Sequence, residues 1–282
     1  MNHKLNELNM KTTLTGKDRT AIPTEYVFAN AGDRAKTQFL ELSRLYDAQT
    51  IRHIEQRGID EGWSCLEVGG GGGSIASWLC VRVGATGRVL ATDIDPRFLH
   101  TLSFPNLEAR HHDIRSEPLP AHEFDLVHAR LVLTHLPERE SALERMVAAL
   151  KPGGWIVIEE IDDLTLLPDP AVYPGEVSLK VKGAFQQVLN ARGVDLRYGR
   201  SMHQKLRAHG LQNIGAEASA SIWKAGSAGA RLVKFSCEEL REAIIGTGHL
   251  SQSEFEADMA RVAERDFLMP SPMLWTAWGQ LP

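Results

Sequence analysis

The sequence predicts an α/β protein built on a doubly wound, mainly parallel sheet, and three observations predict it. A short apolar run, Cys65–Val68, leads into five consecutive glycines, Gly69–Gly73, and then into a helix-like run. Further apolar runs alternate with helical patterns as far as about residue 160, as in βαβ units. The chain then ends in a strand-like run that no helix follows, which suits an antiparallel strand inserted beside the sixth.

The glycine-rich turn and the acid after the second strand predict a nucleotide-binding site. Glycine has no Cβ, so five glycines let the backbone turn sharply and approach a ligand closely. Asp93 follows the second apolar run, Val89–Thr92, at a position where a carboxylate accepts hydrogen bonds from ribose hydroxyls. A surface loop without a ligand is the weaker alternative, because five glycines lose much backbone entropy on folding.

The glycine spacing fits two kinds of ligand. Gly71-x-Gly73-x-x-Ala76 satisfies the dinucleotide fingerprint, which indicates a nicotinamide or flavin cofactor. The same stretch also contains Glu67-x-Gly69-x-Gly71-x-Gly73, with an acid two residues before the first glycine. A carboxylate there suits a cationic ligand better than a pyrophosphate, whose negative charge it would repel.

The chain before the first strand predicts a mobile tail, up to about Thr20, and then a helical cap. Apolar residues recur every three or four positions between Phe39 and Ile54, which indicates amphipathic helices. Asp47 would cap the second of these helices, and Gly58 would end it. A helical cap of this kind can close over a cofactor and exclude water.

Later stretches complete the predicted organisation. Pro96–Leu102 looks helical, Asn213–Lys224 looks like a weak sixth strand, and prolines bracket an irregular stretch after the fifth strand. We expect an insertion there, at the carboxyl edge of the sheet where open α/β proteins bind substrates. The predicted divisions are a mobile tail and helical cap (1–60), a core (61–165), a substrate-side insertion (166–202) and the C-terminal part of the core (203–282).

Composition argues against several classes of protein. The 282 residues are 43% hydrophobic and 24% charged, which is ordinary for a globular protein. The net charge of −5 gives no support for an obligatory nucleic-acid partner. Three dispersed cysteines indicate neither a disulfide framework nor a zinc site. Without a secretory signal or a long apolar stretch, we expect a cytoplasmic enzyme with no membrane partner.

Five stretches in order along the chain carry a family resemblance: Leu66–Ser74, Ala91–Asp95, His112–Asp113, Phe124–Val127 and Leu150–Gly154. Together they resemble the motif series of class I S-adenosylmethionine (SAM)-dependent methyltransferases, particularly the small-molecule branch. The resemblance covers about residues 62–162. It implies a Rossmann-like doubly wound sheet of seven strands whose last strand is antiparallel, and it implies SAM as the cofactor.

The resemblance also implies which residues contact the cofactor. Glu67 would lie near the methionine amino group, Asp93 would accept both ribose hydroxyls, and Asp113 would accept the adenine amine. Asp113 could instead cap a turn before Pro118. The full set of implied cofactor contacts is Glu67, Gly69, Gly70, Gly71, Gly73, Asp93, Ile94, His112, Asp113, Ile114, Ala129 and Arg130.

Candidate catalytic and substrate residues follow the fourth and fifth strands or lie outside the core. His135 is the first candidate for a general base and Glu160 the second. The alternative for His135 is a histidine satisfied by a backbone carbonyl. Tyr26 and Tyr173 are candidates for hydrogen bonding to the substrate. We expect no metal, since the adjacent His111 and His112 of a strand point to opposite faces.

The predicted activity is methyl transfer from SAM to an oxygen, nitrogen or carbon nucleophile of a small molecule. One alternative is an NAD(P)-dependent oxidoreductase, and another is a SAM-binding protein without methyl transfer. A methyltransferase acting on RNA or protein is a third alternative. The acidic net charge argues against RNA as the substrate. The expected partners are a small-molecule methyl acceptor and, in a homodimer, a second copy of the chain; we expect no nucleic acid.

Overall fold

The computed structural model describes residues 33–163 and 175–282. The predicted N-terminal tail, Tyr26 and Tyr173 lie outside these residues. The strands are β1 Ser64–Val68, β2 Arg88–Asp93, β3 Leu107–His111, β4 Phe124–Arg130, β5 Leu150–Asp162, β6 Gln212–Ser219, β7 Ile222–Lys224, β8 Leu268–Pro270 and β9 Met273–Gln280. The α-helices are α1 Asp33–Glu55, α2 Ser74–Val83, α3 Arg139–Ala148, α4 Glu176–Ala191, α5 Met202–Ala208, α6 Ala228–Glu239, α7 Arg241–Gly246 and α8 Gln252–Arg261.

Seven strands form one sheet in the order β3-β2-β1-β4-β5-β9-β6. The neighbours from β3 to β5 pair in parallel, whereas β9 lies between β5 and β6 and is antiparallel to both. This confirms the predicted α/β, Rossmann-like doubly wound sheet of seven strands with the last strand antiparallel. The chain order reverses between β1 and β4, so the crevice at their carboxyl ends is the expected ligand site.

The central strands are buried on both faces, as their continuous apolar runs require. On one face, Leu66 of β1 packs in a cluster with Leu143 of α3 and Leu206 of α5. On the other face, Cys65 packs with Leu79 of α2 in a second cluster. Successive residues of β1 thus pack against opposite layers of helices. This packing on both faces holds the carboxyl end of the strand in place.

Four helices outside these layers form a lid, which we define as α4, α6, α7 and α8. Val181 of α4, Ile244 of α7 and Phe255 of α8 share one apolar cluster away from the sheet. The lid comes from two insertions, one after β5 and one between β6 and β9. The sequence predicted the first insertion but placed the second with the core, because helical periodicity shows an apolar face without showing its partner.

Three local predictions were wrong. Helix α1 runs unbroken through Asp47, which therefore caps nothing; no glycine or proline interrupts that stretch. Pro96–Leu102 forms only a short 3₁₀ turn at its end. The predicted sixth strand, Asn213–Lys224, is divided between β6 and β7, and β7 pairs with β8 in a separate two-stranded sheet.

Candidate functional site

The glycine loop joins β1 to α2 and bends tightly against the end of β2. The amides of Gly69 and Gly70 donate to the carbonyl of Thr92 at 2.8 and 3.0 Å. Gly69 has φ 68°, and a Cβ there would lie 2.4 Å from Cγ2 of Val132. Only glycine therefore fits this position, both for its left-handed backbone and for the space it leaves.

Asp93 is fixed at the end of β2 by two backbone amides. Its Oδ2 accepts from Gly71 N–H at 2.9 Å, and its Oδ1 accepts from Asp95 N–H at 2.9 Å. Burial raises the pKa of Asp93, and these amides act in the opposite direction. The carboxylate is held against the glycine loop and lines the cavity there, where its remaining lone pairs can accept ligand hydroxyls.

Glu67 is tied to a buried histidine of the neighbouring strand. Nδ1 of His128 donates to Oε2 of Glu67 at 2.6 Å, while Nε2 of His128 lies 3.6 Å from Oε2 of Glu159. Burial opposes the charge on His128, but the two carboxylates outweigh it and raise its pKa to about 9. The imidazole is therefore a buried cation at neutral pH, held between two carboxylates beneath the glycine loop.

Helix α1 is fastened to this set of side chains through Arg130. The guanidinium donates to Oδ1 of Asp47 at 2.9 Å and to Oγ1 of Thr50 at 2.8 Å. Thr50 in turn donates to Glu159. Ser74, the first residue of α2, donates to the same oxygen of Asp47 at 3.1 Å. A continuous chain of polar contacts thus joins α1 to the sheet and to the start of α2.

The far end of the same crevice contains His112, Asp113 and Ile114, all of which line the cavity. The Arg115 side chain donates to Asp113 at 2.8 to 3.1 Å and holds the pKa of that carboxyl below its usual range. Asp113 also accepts from the Arg115 amide at 3.0 Å, so it caps the turn that was the alternative expectation for it. Capping and ligand contact are compatible, because a carboxylate has about four acceptor positions.

One cavity of about 850 Å³ connects the glycine loop to the lid. Its volume lies high in the range of about 300 to 1,000 Å³ that is usual for small-molecule sites. Near the sheet it is lined by the loop, Asp93 and α1. On the lid side the apolar wall consists of Val181, Phe185, Leu189, Val194, Leu196, Trp223, Leu232, Val233, Cys237, Met259 and Met269. The cavity has room for more than one ligand of ordinary size.

Comparison with known proteins agrees with this geometry. The family described as "Methyltransferase domain" matches residues 66–158. The chain is 32% identical over 145 residues to "Methyltransferase str2" of Strobilurus tenacellus, covering 51% of each chain. It is 31% identical over 128 residues to the ubiquinone/menaquinone biosynthesis C-methyltransferase UbiE of Coxiella burnetii, covering 43% of this chain and 51% of that protein.

The chain contains a class I SAM-dependent methyltransferase domain. Each of these two matches spans about half of the relative's length. Among solved structures, the YcgJ protein of Bacillus subtilis aligns over 81% of this chain and 96% of its own, with a TM-score of 0.55 and 11% identity. That likeness concerns the fold alone.

Within the methyltransferase domain, most of the implied cofactor residues come together. Ten of the twelve line the cavity: Glu67, Gly69, Gly70, Gly71, Asp93, Ile94, His112, Asp113, Ile114 and Arg130. Gly73 instead caps the start of α2, and Ala129 is fully buried in β4 away from the wall. Gly72 and Phe39 also line the cavity and were not among the implied contacts.

The two candidate catalytic residues differ in position. His135 lines the cavity, and burial lowers its pKa to about 4, which keeps the imidazole neutral. Glu160 is fully buried and does not line the cavity. Its carboxyl oxygens accept from the amides of Val132, Leu133 and Thr134 at 2.7 to 3.3 Å. Its geometry is that of a carboxyl group that holds the turn after β4.

The described residues contain no group of three or more His, Cys, Asp or Glu side chains arranged to hold a metal ion. In the same part of the chain, no helix combines the length and the apolar character that a bilayer crossing requires.

Proposed function

We propose that this protein transfers a methyl group from SAM to a small, largely apolar acceptor. The observation that supports this most directly is a continuous cavity that runs from the glycine loop and Asp93 into the apolar lid. One end has the carboxylates and bare backbone suited to a cationic nucleoside, and the other end has the volume for a second molecule. Reaction between two bound molecules requires this continuity.

The residues at the sheet end fit SAM. Glu67 presents a carboxylate where the ligand's positive charge would lie, and it is oriented by His128. Asp93 presents acceptor oxygens suited to ribose hydroxyls, and the glycine loop leaves room for close backbone approach. Arg130 would border the methionine moiety, as the family resemblance implies, and Ile94 would lie against the adenine. When bound, SAM supplies the electrophilic methyl group and its own leaving group.

On the acceptor side, the protein would align the acceptor with the methyl group and exclude water. Helix α1, fixed through Arg130, covers the glycine loop, and Phe39 packs against Gly71 and Gly72. The neutral imidazole of His135 lines the cavity and can hydrogen-bond to the acceptor, while its lowered pKa makes it a weak base, so its expected role is to position the acceptor. Glu160 would act by fixing the turn that carries His135.

Titration calorimetry with S-adenosylhomocysteine (SAH) and with NAD tests the cofactor assignment. We expect SAH to bind and NAD not to bind. Retention of NAD alone would favour an oxidoreductase and overturn the proposal. Incubation with methyl-tritiated SAM and a panel of aromatic alcohols, acids and amines then tests transfer. Equal thermal stabilisation by SAM and SAH without turnover on any acceptor would favour a SAM-binding protein.

Further properties follow from composition and stay predictions. We propose a cytoplasmic protein that acts without nucleic acid, alone or as a homodimer. Sedimentation analysis and fractionation of cells check these statements.

A further inference from the structure

The lid side of the cavity contains a buried ion pair in an otherwise mainly apolar wall. Asp163, directly after β5, and Lys182 of α4 both line the cavity, with side chains only 8% and 12% exposed. Around them the wall is made of Val181, Phe185 and Leu196 among other apolar residues. The few polar groups in a hydrophobic pocket are usually the ones that orient the ligand.

The distance between the two charged groups of this ion pair is long. Nζ of Lys182 lies 3.4 Å from Oδ2 of Asp163, longer than the 2.7 to 2.9 Å of a strong charge-assisted hydrogen bond. On the surface side of the same helix, Nζ of Lys180 lies 2.9 Å from Glu254. An ammonium has three donors, and among the described residues Asp163 is the one hydrogen-bond acceptor recorded for Lys182.

A gain in folding stability does not explain why this ion pair is buried. A buried ion pair is often no more stabilising than apolar side chains of similar volume, because both charges lose their hydration. Asp163 is already partly satisfied, since Gln186 donates to the same Oδ2 at 3.2 Å. The ammonium therefore keeps donor capacity at the wall of the cavity.

The sign of the local charge indicates which ligand suits this point. Lys182 and Arg261 both line this part of the cavity, and each lies beside one carboxylate, Asp163 and Asp258 respectively. Asp258 accepts from Arg261 at 3.2 Å and from Ser178. The ammonium of Lys182 lines the cavity and has donors beyond its contact with Asp163, so it favours an anionic oxygen of a ligand over an ammonium group.

We propose that Lys182, with Asp163 behind it, binds the polar end of the methyl acceptor, and that this acceptor is an apolar molecule bearing an anionic oxygen, as in an aromatic carboxylate or an ionised phenol or enol. This inference rests on the proposed function and deepens it. Lys182 is a specificity residue in this scheme, because it would contact the acceptor and leave the cofactor end of the cavity unchanged.

Calorimetry on the whole chain saturated with SAH tests this, because SAH fills the cofactor end. The probes are 2-naphthoate and its neutral isostere 2-naphthamide, and the variants are Lys182→Met and Lys182→Arg. We expect Lys182→Met to weaken binding of 2-naphthoate by tenfold or more and to change 2-naphthamide less than about threefold. Lys182→Arg should keep most of the preference for the anion.

The matched control is Lys180→Met, which removes the same charge from the same helix away from the cavity. It should leave both probes unchanged. The proposal is overturned if 2-naphthoate binds Lys182→Met as well as it binds the natural chain, or if the natural chain prefers the amide or binds neither probe. Those results differ from failure of the proposed function, in which SAH itself would not bind.

Discussion

Nδ1 of His128 lies 2.6 Å from Oε2 of Glu67, directly beneath the glycine loop. Both side chains are buried, and the imidazole also approaches Glu159 at 3.6 Å. Glu67 is therefore not free to turn away from the cavity. The cation that holds it belongs to β4, the strand on the other side of the topological switch point, so the carboxylate of Glu67 is positioned by the sheet itself.

His128→Gln should weaken SAH binding about tenfold or more, because the substitution releases Glu67 and leaves two buried carboxylates without their cation. Removing one partner of a buried ion pair typically costs about 3 to 5 kcal/mol. Calorimetry with SAH measures the loss. A parallel titration uses 5′-methylthioadenosine, which keeps the nucleoside but lacks the amino-acid end that Glu67 would face.

The second ligand separates positioning from general damage to the fold. We expect His128→Gln to bind 5′-methylthioadenosine within about threefold of the natural chain. Equal weakening of both ligands would show that His128 acts only on stability. The exposed His203 gives a control, since His203→Gln should change neither titration.

Stability should fall as the pH rises from about 6.5 to about 9. Burial opposes the charge on His128, but Glu67 and Glu159 raise its pKa to about 9 in the folded chain, against about 6.5 when unfolded. The folded state therefore binds the proton more tightly, and its contribution is complete below pH 6.5 and lost as the pH passes 9. A shift of this size corresponds to up to about 3 kcal/mol.

Urea unfolding at intervals between pH 6 and 9.5 measures this dependence, and His128→Gln serves as the comparison. Glu160 contributes in the same direction, because burial raises its pKa to about 8. The variant should therefore lose only part of the slope. A slope as steep in His128→Gln as in the natural chain would contradict the assignment to His128.

Asp93→Ala should abolish measurable SAH binding while leaving the chain folded. The substitution removes the acceptor of the Gly71 amide and the oxygens available to ribose hydroxyls. Calorimetry gives the affinity, and circular dichroism confirms the fold. Asp95→Ala is the matched control, since the Asp95 side chain pairs with exposed Arg97 and does not line the cavity. SAH binding within about threefold of the natural value in Asp93→Ala would refute the assignment.

The sheet end of this site could be predicted from the sequence, because its residues follow one another along βαβ units. Glu67, the glycines and Asp93 lie within one stretch, and their spacing already encodes where the strands end. Asp113 follows β3 by the same logic. Local order in the chain and proximity in space coincide there, since adjacent parallel strands end at the same edge.

The lid and the polar contacts to α1 could not be predicted in the same way. Thr50 meets Glu159 from 109 positions away, and Trp223 and Met259 reach the cavity from an insertion between two late strands. No rule of sequence spacing predicts that residues so far apart in the chain will meet. Asp47 illustrates the difficulty: the sequence suggested a helix cap, whereas its carboxylate is used by Arg130 within an unbroken helix.

His135→Asn should reduce kcat by less than about threefold. Burial lowers the pKa of His135 to about 4, which makes the neutral imidazole a weak proton acceptor at physiological pH. Initial rates with methyl-tritiated SAM give kcat once an acceptor is identified. A loss of 100-fold or more would instead establish His135 as the general base, since general-base catalysis contributes about 10² to 10⁴.

Arg130→Met should loosen helix α1 over the glycine loop. The guanidinium supplies two bonds to that helix, one to Asp47 and one to Thr50, and hydrogen bonds to charged groups contribute about 1.5 to 3 kcal/mol each. Hydrogen exchange of the α1 amides around residues 46–50 should therefore accelerate at least tenfold. Arg44→Met is the control, because Arg44 is half exposed and pairs within α1 with Glu41. Unchanged exchange in Arg130→Met, or equal acceleration in both variants, would mean that α1 is held by its apolar face alone.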